Sequence, residues 1–129
     1  MTRRAISTSA APGAVGPYSQ AITTHDLVFC SGQVGLDPQT GELVEGGIEG
    51  QTERALKNLE AVLDAAGCSM ADVVKTTCFL ADIADFATFN AIYGRFFPDP
   101  PPARSTFAVA ALPKGARVEV EAVAVRDRG

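Results

Sequence analysis

The 129-residue sequence has no tryptophan, a single histidine (His25) and only three cysteines, at positions 30, 68 and 78. With one histidine and no C-x-x-C pair, it lacks the usual ligands of a transition-metal site, so we expect no metal. An odd number of widely spaced cysteines does not indicate a disulfide framework. Cys30, Cys68 and Cys78 are therefore predicted to be reduced, small buried side chains.

Positive charge and long apolar runs are also scarce. Eleven Lys and Arg face fifteen Asp and Glu, a net charge of −4, so no overall positive field favours nucleic acid and we do not expect it as a partner. No apolar run approaches the roughly 18 residues of a membrane span, and no membrane association is expected. The opening MTRRAISTSAAP carries two arginines and no acid but lacks an apolar targeting segment, which favours a polar strand or arm over a transit peptide. The expected location is the cytoplasm.

The composition that remains is typical of a globular protein. About half of the residues are hydrophobic (47%) and a fifth are charged (20%). A chain of this length normally forms one domain, so residues 1–129 are predicted to be a single unit with one core.

Hydrophobic periodicity predicts the order β-β-β-α-β-α-β-β. After a polar first strand, β-branched or alternating segments predict strands at 25–36, 37–44, 70–82, 104–112 and 117–125. The strands at 25–36 and 37–44 are expected to form a hairpin, and the last two strands a closing pair around a Pro-Lys-Gly turn.

Two segments have the spacing of amphipathic helices. Apolar residues recur at three- and four-residue steps over 48–66, and Gly67 supplies a C-terminal stop. Aromatic residues keep the same spacing over 86–97, where Asp85 is expected to cap the helix and Pro98 to end it. Together the patterns predict an α+β fold with about six strands and both helices on one face of a mixed sheet.

The second face of this sheet is predicted to be covered by another subunit. Along 118–125, one face reads Val, Val, Ala, Ala and the other reads Glu119, Glu121, Val123, Val125, a mixture of acid and aliphatic that is unusual in open water. Clefts between subunits are common ligand sites, so this face is also where a site is expected.

The sequence resembles the RidA/YjgF family of reactive-intermediate deaminases, which includes UK114. The similarity covers nearly the whole chain and lies in five segments: GPYSQA (16–21), SGQVGLDPQTGELV (31–44), ALKNLEAVLDAAG (55–67), VVKTTCFLADIADFATFNAIYGRFF (73–97) and PPARSTFAVAALPKGARVEVEAVAV (101–125).

This resemblance implies a chorismate-mutase-like α+β subunit that assembles as a homotrimer with three intersubunit clefts. It also implies hydrolysis of 2-imino acids, such as 2-iminobutanoate and 2-iminopropanoate, to 2-keto acids and ammonia. Such an enzyme is a hydrolase of C–N bonds that needs no cofactor, because the imine carbon is already electrophilic.

Two residues are predicted to carry the chemistry. Arg104 matches the arginine that holds the substrate carboxylate, and its planar guanidinium suits bidentate binding. Pro100, Pro101 and Pro102 restrict the backbone before it and should preorganise the site. Glu119 matches the glutamate that orients or deprotonates the attacking water, in preference to Glu121 on the same face. The alternatives are a surface ion pair for Arg104 and interface ion pairs for the glutamates.

Further substrate contacts follow from the same resemblance. Tyr18 matches a tyrosine that packs against the substrate, and Ser31 and Gly32 match the segment that lines the cleft. Asn90 matches a position that hydrogen-bonds in or near the cleft, with a structural, loop-bracing asparagine as the alternative. Where archetypal members carry cysteine, this chain has Thr106, which rules out thiol chemistry there but leaves the backbone N–H available to the substrate.

Two other functions stay open from the sequence. One is a trimer that binds small ligands or client proteins without turnover. The other is a ribonuclease or translation inhibitor, an activity ascribed to some relatives, although the chain offers neither a histidine pair nor a net basic surface for it.

Overall fold

Residues 2–126, the part of the chain that the computed structural model describes, form a six-stranded mixed sheet with two α-helices against one face. The strands are β1 (Arg3–Ile6), β2 (Ala21–Thr24), β3 (Leu27–Val34), β4 (Val73–Leu80), β5 (Ala103–Ala108) and β6 (Val118–Val125). The helices are α1 (Gly47–Ala65) and α2 (Phe86–Tyr93). The strand order is β1-β2-β3-β6-β4-β5, with β4 and β5 parallel and the other neighbours antiparallel. The predicted fold class is confirmed. The sequence of strands and helices also has the predicted order, but its second strand is Ala21–Thr24, which was not predicted, and the strand predicted over 37–44 is absent.

Helix α1 follows its apolar spacing closely. The stripe that the pattern predicted is buried against the sheet, including Leu56, Leu59 and Leu63. Gly67 adopts a φ of 82°, which L-residues with side chains disfavour, and its N–H donates to Asp64 O. The next N–H, of Cys68, donates to Leu63 O, which completes a Schellman motif and confirms the predicted stop.

Helix α2 differs from the prediction at both ends. The Asp85 side chain makes no capping bond, because its carboxylate accepts from Arg117 Nη2 at 3.0 and 3.2 Å. Asp82 instead accepts from the Ala84 N–H at 2.9 Å and caps the short 3₁₀ turn that precedes the helix. The helix ends at Tyr93 rather than at Pro98, since the chain continues in tighter i→i+3 turns that leave Phe97 buried.

The predicted hairpin between 25–36 and 37–44 is wrong. Residues 37–44 form a tight loop in which Asp37 Oδ1 accepts from the Gln39 N–H at 2.7 Å, and only an isolated bridge joins Leu36 to Leu43. A side chain that bonds its own backbone in this way competes with a strand ladder. The hairpin partner of β3 is β2, which precedes it.

The predicted closing pair of strands is also wrong. Strand β4 lies between β5 and β6 and bonds to both, so the last two strands never meet. The strand expected over 104–112 stops at Ala108, while the turn at 113–115 is present as a 3₁₀ turn. Strands that follow one another in sequence are not always neighbours in the sheet, and sequence periodicity does not reveal an inserted strand.

The two faces of the sheet differ as expected. The helix face carries the core, to which β6 contributes Val118, Val120, Ala122 and Ala124. The open face carries several large side chains that are more than a third exposed: Leu27, Phe29, Phe107 and Val125. Phe79 lies beside Phe107 in an edge-to-face contact with centroids 5.3 Å apart. The predicted half-apolar second face is therefore present.

Candidate active site

A cleft of about 570 Å³ lies on the open face of the sheet. Four of the residues singled out in the sequence line it: Tyr18, Ser31, Gly32 and Glu119. Its remaining walls include Pro12, Val15, Leu36, Lys114 and Glu121. We call this cavity the open-face cleft.

Glu119 lies against Gly32 at the floor of the open-face cleft. A methyl group at Gly32 would overlap the Glu119 carboxylate, so the glycine is required by the glutamate itself. Within residues 2–126, the Glu119 side chain makes no ion pair or hydrogen bond. Burial raises the pKa of its carboxyl group, and the negative charge of Glu121 raises it further. The result is a carboxylate that holds a proton more readily than an ordinary glutamate.

The segment that carries Tyr18 is held by a glutamine. Gln20 is buried and its side chain makes four hydrogen bonds to the preceding loop. It accepts from the Thr8 N–H at 2.7 Å and donates to Thr8 O at 3.1 Å, Ala11 O at 3.4 Å and Pro12 O at 2.8 Å. Ser31 Oγ donates to Ser19 O at 2.6 Å and ties the same loop to β3. Tyr18 itself is 52% exposed at the cleft. Gln20 had no assigned role in the sequence, although it lies within the GPYSQA segment.

Arg104 lies on the other face of the sheet, beneath α2. Its Nη1 donates to Asn90 Oδ1 at 2.8 Å, and its Cζ is 5.6 Å from the ring centroid of Phe86, 5.8 Å from Phe89 and 4.8 Å from Tyr93. We call these five residues the Arg104 cluster. No carboxylate within residues 2–126 pairs with Arg104. The surface ion pair, which was the alternative to a role in substrate binding, is therefore not found among these residues. Asn90 holds the guanidinium directly.

Thr106 follows Arg104 on the same face of β5 and pairs with Cys78 of β4. Its hydroxyl oxygen is buried, with no hydrogen-bond partner of good geometry in the described chain. The neighbouring Cys78 thiol has a pKa raised by burial and partly lowered again by Thr76, Arg104 and Thr106. Cys30 and Cys68 are also buried and free, and burial raises the pKa of Cys30 to about 12. The predicted burial of all three cysteines is confirmed.

The predicted site residues thus fall into two groups on opposite faces. Arg104 is in register with Thr76, a fully buried residue on the helix face. Glu119 alternates with buried Val118 and Val120 and projects to the open face. Tyr18, Ser31 and Gly32 accompany Glu119, while Asn90 and Thr106 accompany Arg104. Within this chain they are two separate groups, which we call half-sites because the sequence predicts a single site for both.

The described residues contain no group of three or more His, Cys, Asp and Glu side chains that could hold a metal ion. No helix within residues 2–126 is long and apolar enough to cross a membrane.

Comparisons with known proteins agree with this architecture. The family model described as endoribonuclease L-PSP matches residues 8–126. The 2-iminobutanoate/2-iminopropanoate deaminase of Homo sapiens is 53% identical, over 98% of this chain and 92% of that protein. The chloroplastic Reactive Intermediate Deaminase A of Arabidopsis thaliana is also 53% identical, over 95% of this chain and 65% of that protein. The solved structure of Escherichia coli TdcF with bound serine is 43% identical and superposes with a TM-score of 0.91, covering 96% of this chain and 99% of that one.

The TM-score of 0.91 shows that this chain has the same fold as TdcF over nearly its whole length. The chain belongs to the RidA/YjgF family, which the endoribonuclease L-PSP model describes, and the resemblance inferred from the sequence is confirmed.

Proposed function

We propose that this protein is a 2-iminobutanoate/2-iminopropanoate deaminase, a hydrolase that converts reactive imino acids to 2-keto acids and ammonia. The observation that carries the proposal is a pair of opposite, unpartnered charges. Within residues 2–126, Arg104 has no acidic partner and Glu119 has no basic partner. A ligand with a carboxylate at one end and a hydrolysable C=N bond beside it complements both. Relatives that carry this activity in their names support the same proposal.

In the proposed reaction, Arg104 binds the substrate carboxylate through the N–H groups that Asn90 leaves free. Glu119 accepts a proton from a water molecule whose oxygen bonds to the imine carbon, the C=N π electrons move to nitrogen, and Glu119 returns the proton to that nitrogen. In the resulting amino alcohol, Glu119 moves the hydroxyl proton to nitrogen, the C–N bond breaks, ammonia leaves and the oxygen becomes the keto oxygen. Overall, one imine and one water give one keto acid and one ammonia. Tyr18 is proposed to pack against the substrate, with Ser31, Gly32 and Thr106 lining its site.

The two half-sites are proposed to meet in a homotrimer. They lie on opposite faces of one subunit, so a second copy must bring a guanidinium to each open-face cleft. The exposed apolar residues of the open face, Phe29 and Phe107 among them, support burial of that face between copies. A closed ring of three subunits then contains three complete clefts.

The direct test is keto-acid release from freshly generated 2-iminobutanoate in competition with semicarbazide. Wild type should accelerate release, and Arg104→Ala should abolish the acceleration. Arg95→Ala is the matched control, because Arg95 is an exposed arginine whose side chain makes no hydrogen bond or ion pair in the described chain. Equal rates for wild type and Arg104→Ala would refute the proposal.

The family model's name makes RNA cleavage a second candidate. The deaminase is favoured because the residues that line the open-face cleft include no histidine, and His25 lies in the exposed turn between β2 and β3. Ribonuclease activity that co-purifies with wild type and persists in Arg104→Ala would support the second candidate.

We also propose that the protein works in a reducing compartment such as the cytoplasm. All three cysteines are free and buried, and none pairs with another in a disulfide.

A further inference from the structure

The guanidinium of Arg104 is supported by aromatic rings rather than by an acid. Three rings lie within 6 Å of its Cζ atom, and that of Tyr93 is the nearest at 4.8 Å. A cation over a ring face is attracted by the ring quadrupole. An aspartate at the same place would compete with a ligand carboxylate, whereas a ring leaves the in-plane N–H groups free. The aromatic rings therefore hold the positively charged guanidinium in place without neutralising its charge.

The Tyr93 ring is itself fixed on several sides. Its hydroxyl shares a 2.7 Å hydrogen bond with Thr76 Oγ1, and both residues are buried. Its ring also packs on Phe89 and Phe97, with centroids 5.4 and 4.6 Å away. Burial raises the pKa of the phenol, so Tyr93 stays neutral near pH 7 and cannot act as the proton acceptor in the proposed reaction.

Thr76 links this ring to the strand that presents the arginine. Thr76 and Arg104 are partners across the parallel β4–β5 pair, so both side chains leave the sheet on the helix face at the same level. Asn90, which bonds Arg104, and Tyr93 are three residues apart on α2 and therefore on one face of that helix. The Thr76–Tyr93 hydrogen bond thus joins α2 to β4 beside the point where α2 contacts the guanidinium.

We propose that Tyr93, anchored by Thr76, is a positioning residue that sets the pose of the Arg104 guanidinium for a carboxylate ligand. This inference rests on the proposed function and adds a residue outside the predicted site. It assigns Tyr93 no contact with the reacting atoms. Its effect should therefore appear in ligand binding, with little change in the chemical step.

Three variants test the inference. Tyr93→Phe keeps the ring and removes the hydroxyl, Tyr93→Leu removes the ring, and Thr76→Val combined with Tyr93→Phe removes both hydrogen-bonding partners together. Val62→Ala serves as the control for lost core packing, because Val62 is fully buried on the other helix, α1. For each protein we would measure KM and kcat for 2-iminobutanoate, the melting temperature, and the Kd for 2-oxobutanoate by calorimetry.

Loss of the ring in Tyr93→Leu should raise both KM and Kd about tenfold, the scale of one desolvated cation–π contact, and leave kcat within about twofold. Tyr93→Phe should raise both by about threefold, since the ring remains but loses its anchor. In the double variant the melting temperature should recover towards wild type, because no buried hydroxyl is left unpaired, while KM and Kd stay raised.

Unchanged KM and Kd in a folded Tyr93→Leu protein would overturn the inference. The inference would also be overturned if, in the double variant, KM returned to the wild-type value together with the melting temperature. An increase in KM in Val62→Ala equal to that in the Tyr93 variants would overturn it as well. If wild type shows no turnover but binds 2-oxobutanoate with an affinity that depends on Tyr93, the inference stands and the deaminase proposal fails. If wild type turns over its substrate and the Tyr93 variants match it in KM and Kd, the deaminase proposal stands and the inference fails.

Discussion

Arg104 and Glu119 project from opposite faces of the same sheet. Arg104 pairs across β4–β5 with Thr76 beneath α2, while Glu119 alternates with buried Val118 and Val120 and faces the open-face cleft. A single subunit therefore cannot apply both side chains to one small substrate. If both residues act on one substrate, as proposed, at least two copies of the chain must contribute to each site.

The first prediction is complementation between inactive subunits. Arg104→Ala and Glu119→Gln should each be inactive alone, but co-assembled trimers should contain clefts that take Arg104 from one subunit and Glu119 from its neighbour. A trimer that contains both variants has both residues together in one of its three clefts, so the doubly purified protein should recover about a third of wild-type activity. The measurement is keto-acid release from co-expressed, differently tagged subunits purified over both tags. Mixtures that stay inactive although both tags are present would argue against a shared cleft.

The second prediction concerns pH. Burial, and secondarily Glu121, raises the pKa of Glu119 above its ordinary value of 4.5, so the folded protein binds this proton more tightly than the unfolded chain does. The protonated Glu119 carboxyl group contributes stability at pH values below its pKa in the unfolded chain. This contribution is lost as the pH rises through its higher pKa in the folded protein. At pH values above the folded pKa of Glu119, Glu119→Gln should therefore have a higher melting temperature than wild type, and below pH 4.5 it should show no such gain. Its kcat should fall about 10²- to 10⁴-fold. Calorimetric scans across pH check the first part, and a stability gain that does not depend on pH would contradict it.

The third prediction separates the two glutamates. Because the charge of Glu121 raises the pKa of Glu119, Glu121→Gln should shift the acid limb of the kcat profile to lower pH and leave kcat near neutrality largely intact. The pH–rate profile of this variant beside wild type is the measurement. Loss of activity at all pH values in Glu121→Gln would instead assign the proton transfer to Glu121.

The fourth prediction concerns Gly32. In Gly32→Ala the added methyl group would displace the Glu119 carboxylate, and a shift of about 1 Å in such a group reduces turnover on the order of 100-fold. Stability should change little, because the displaced atoms are the end of a flexible side chain. Gly13→Ala is the reference for stability, since nothing lies within 4 Å of its added methyl group. A Gly32→Ala enzyme with wild-type kcat would show that Glu119 does not need its present position.

The fifth prediction concerns the loop that carries Tyr18. Gln20→Ala leaves the Thr8 N–H and the Thr8 and Pro12 carbonyls without their side-chain partner and should lower the free energy of unfolding by about 2 kcal/mol. Urea unfolding measures the loss, and the Thr8 amide should exchange hydrogen faster. Gln39→Ala, at an exposed glutamine, is the matched control. Equal stability of the two variants would remove Gln20 as the brace of this loop.

Much of the fold could be predicted from the sequence because local patterns carry it. The apolar spacing over 48–66 and the glycine at 67 identified α1 and its end, since both depend on residues within a few positions of each other. The strand assigned to 37–44 failed because Asp37 and Gly41 favour a tight loop there. Strand pairing failed at the C-terminus because the insertion of β4 between β5 and β6 depends on contacts distant in sequence.

The sequence by itself indicated which side chains are candidates for a site. They are an arginine behind a rigid proline run, a glutamate on an alternating strand, and five residues in motifs shared with a known family: Tyr18, Ser31, Gly32, Asn90 and Thr106. Only the tertiary structure decided how they are grouped. Strand register and the side on which the helices pack send Arg104 and Glu119 to opposite faces, and long-range packing surrounds Arg104 with rings and leaves Glu119 half-buried beside Gly32. Residue chemistry can be read locally, whereas the face, partner and pKa of each group depend on neighbours far along the chain.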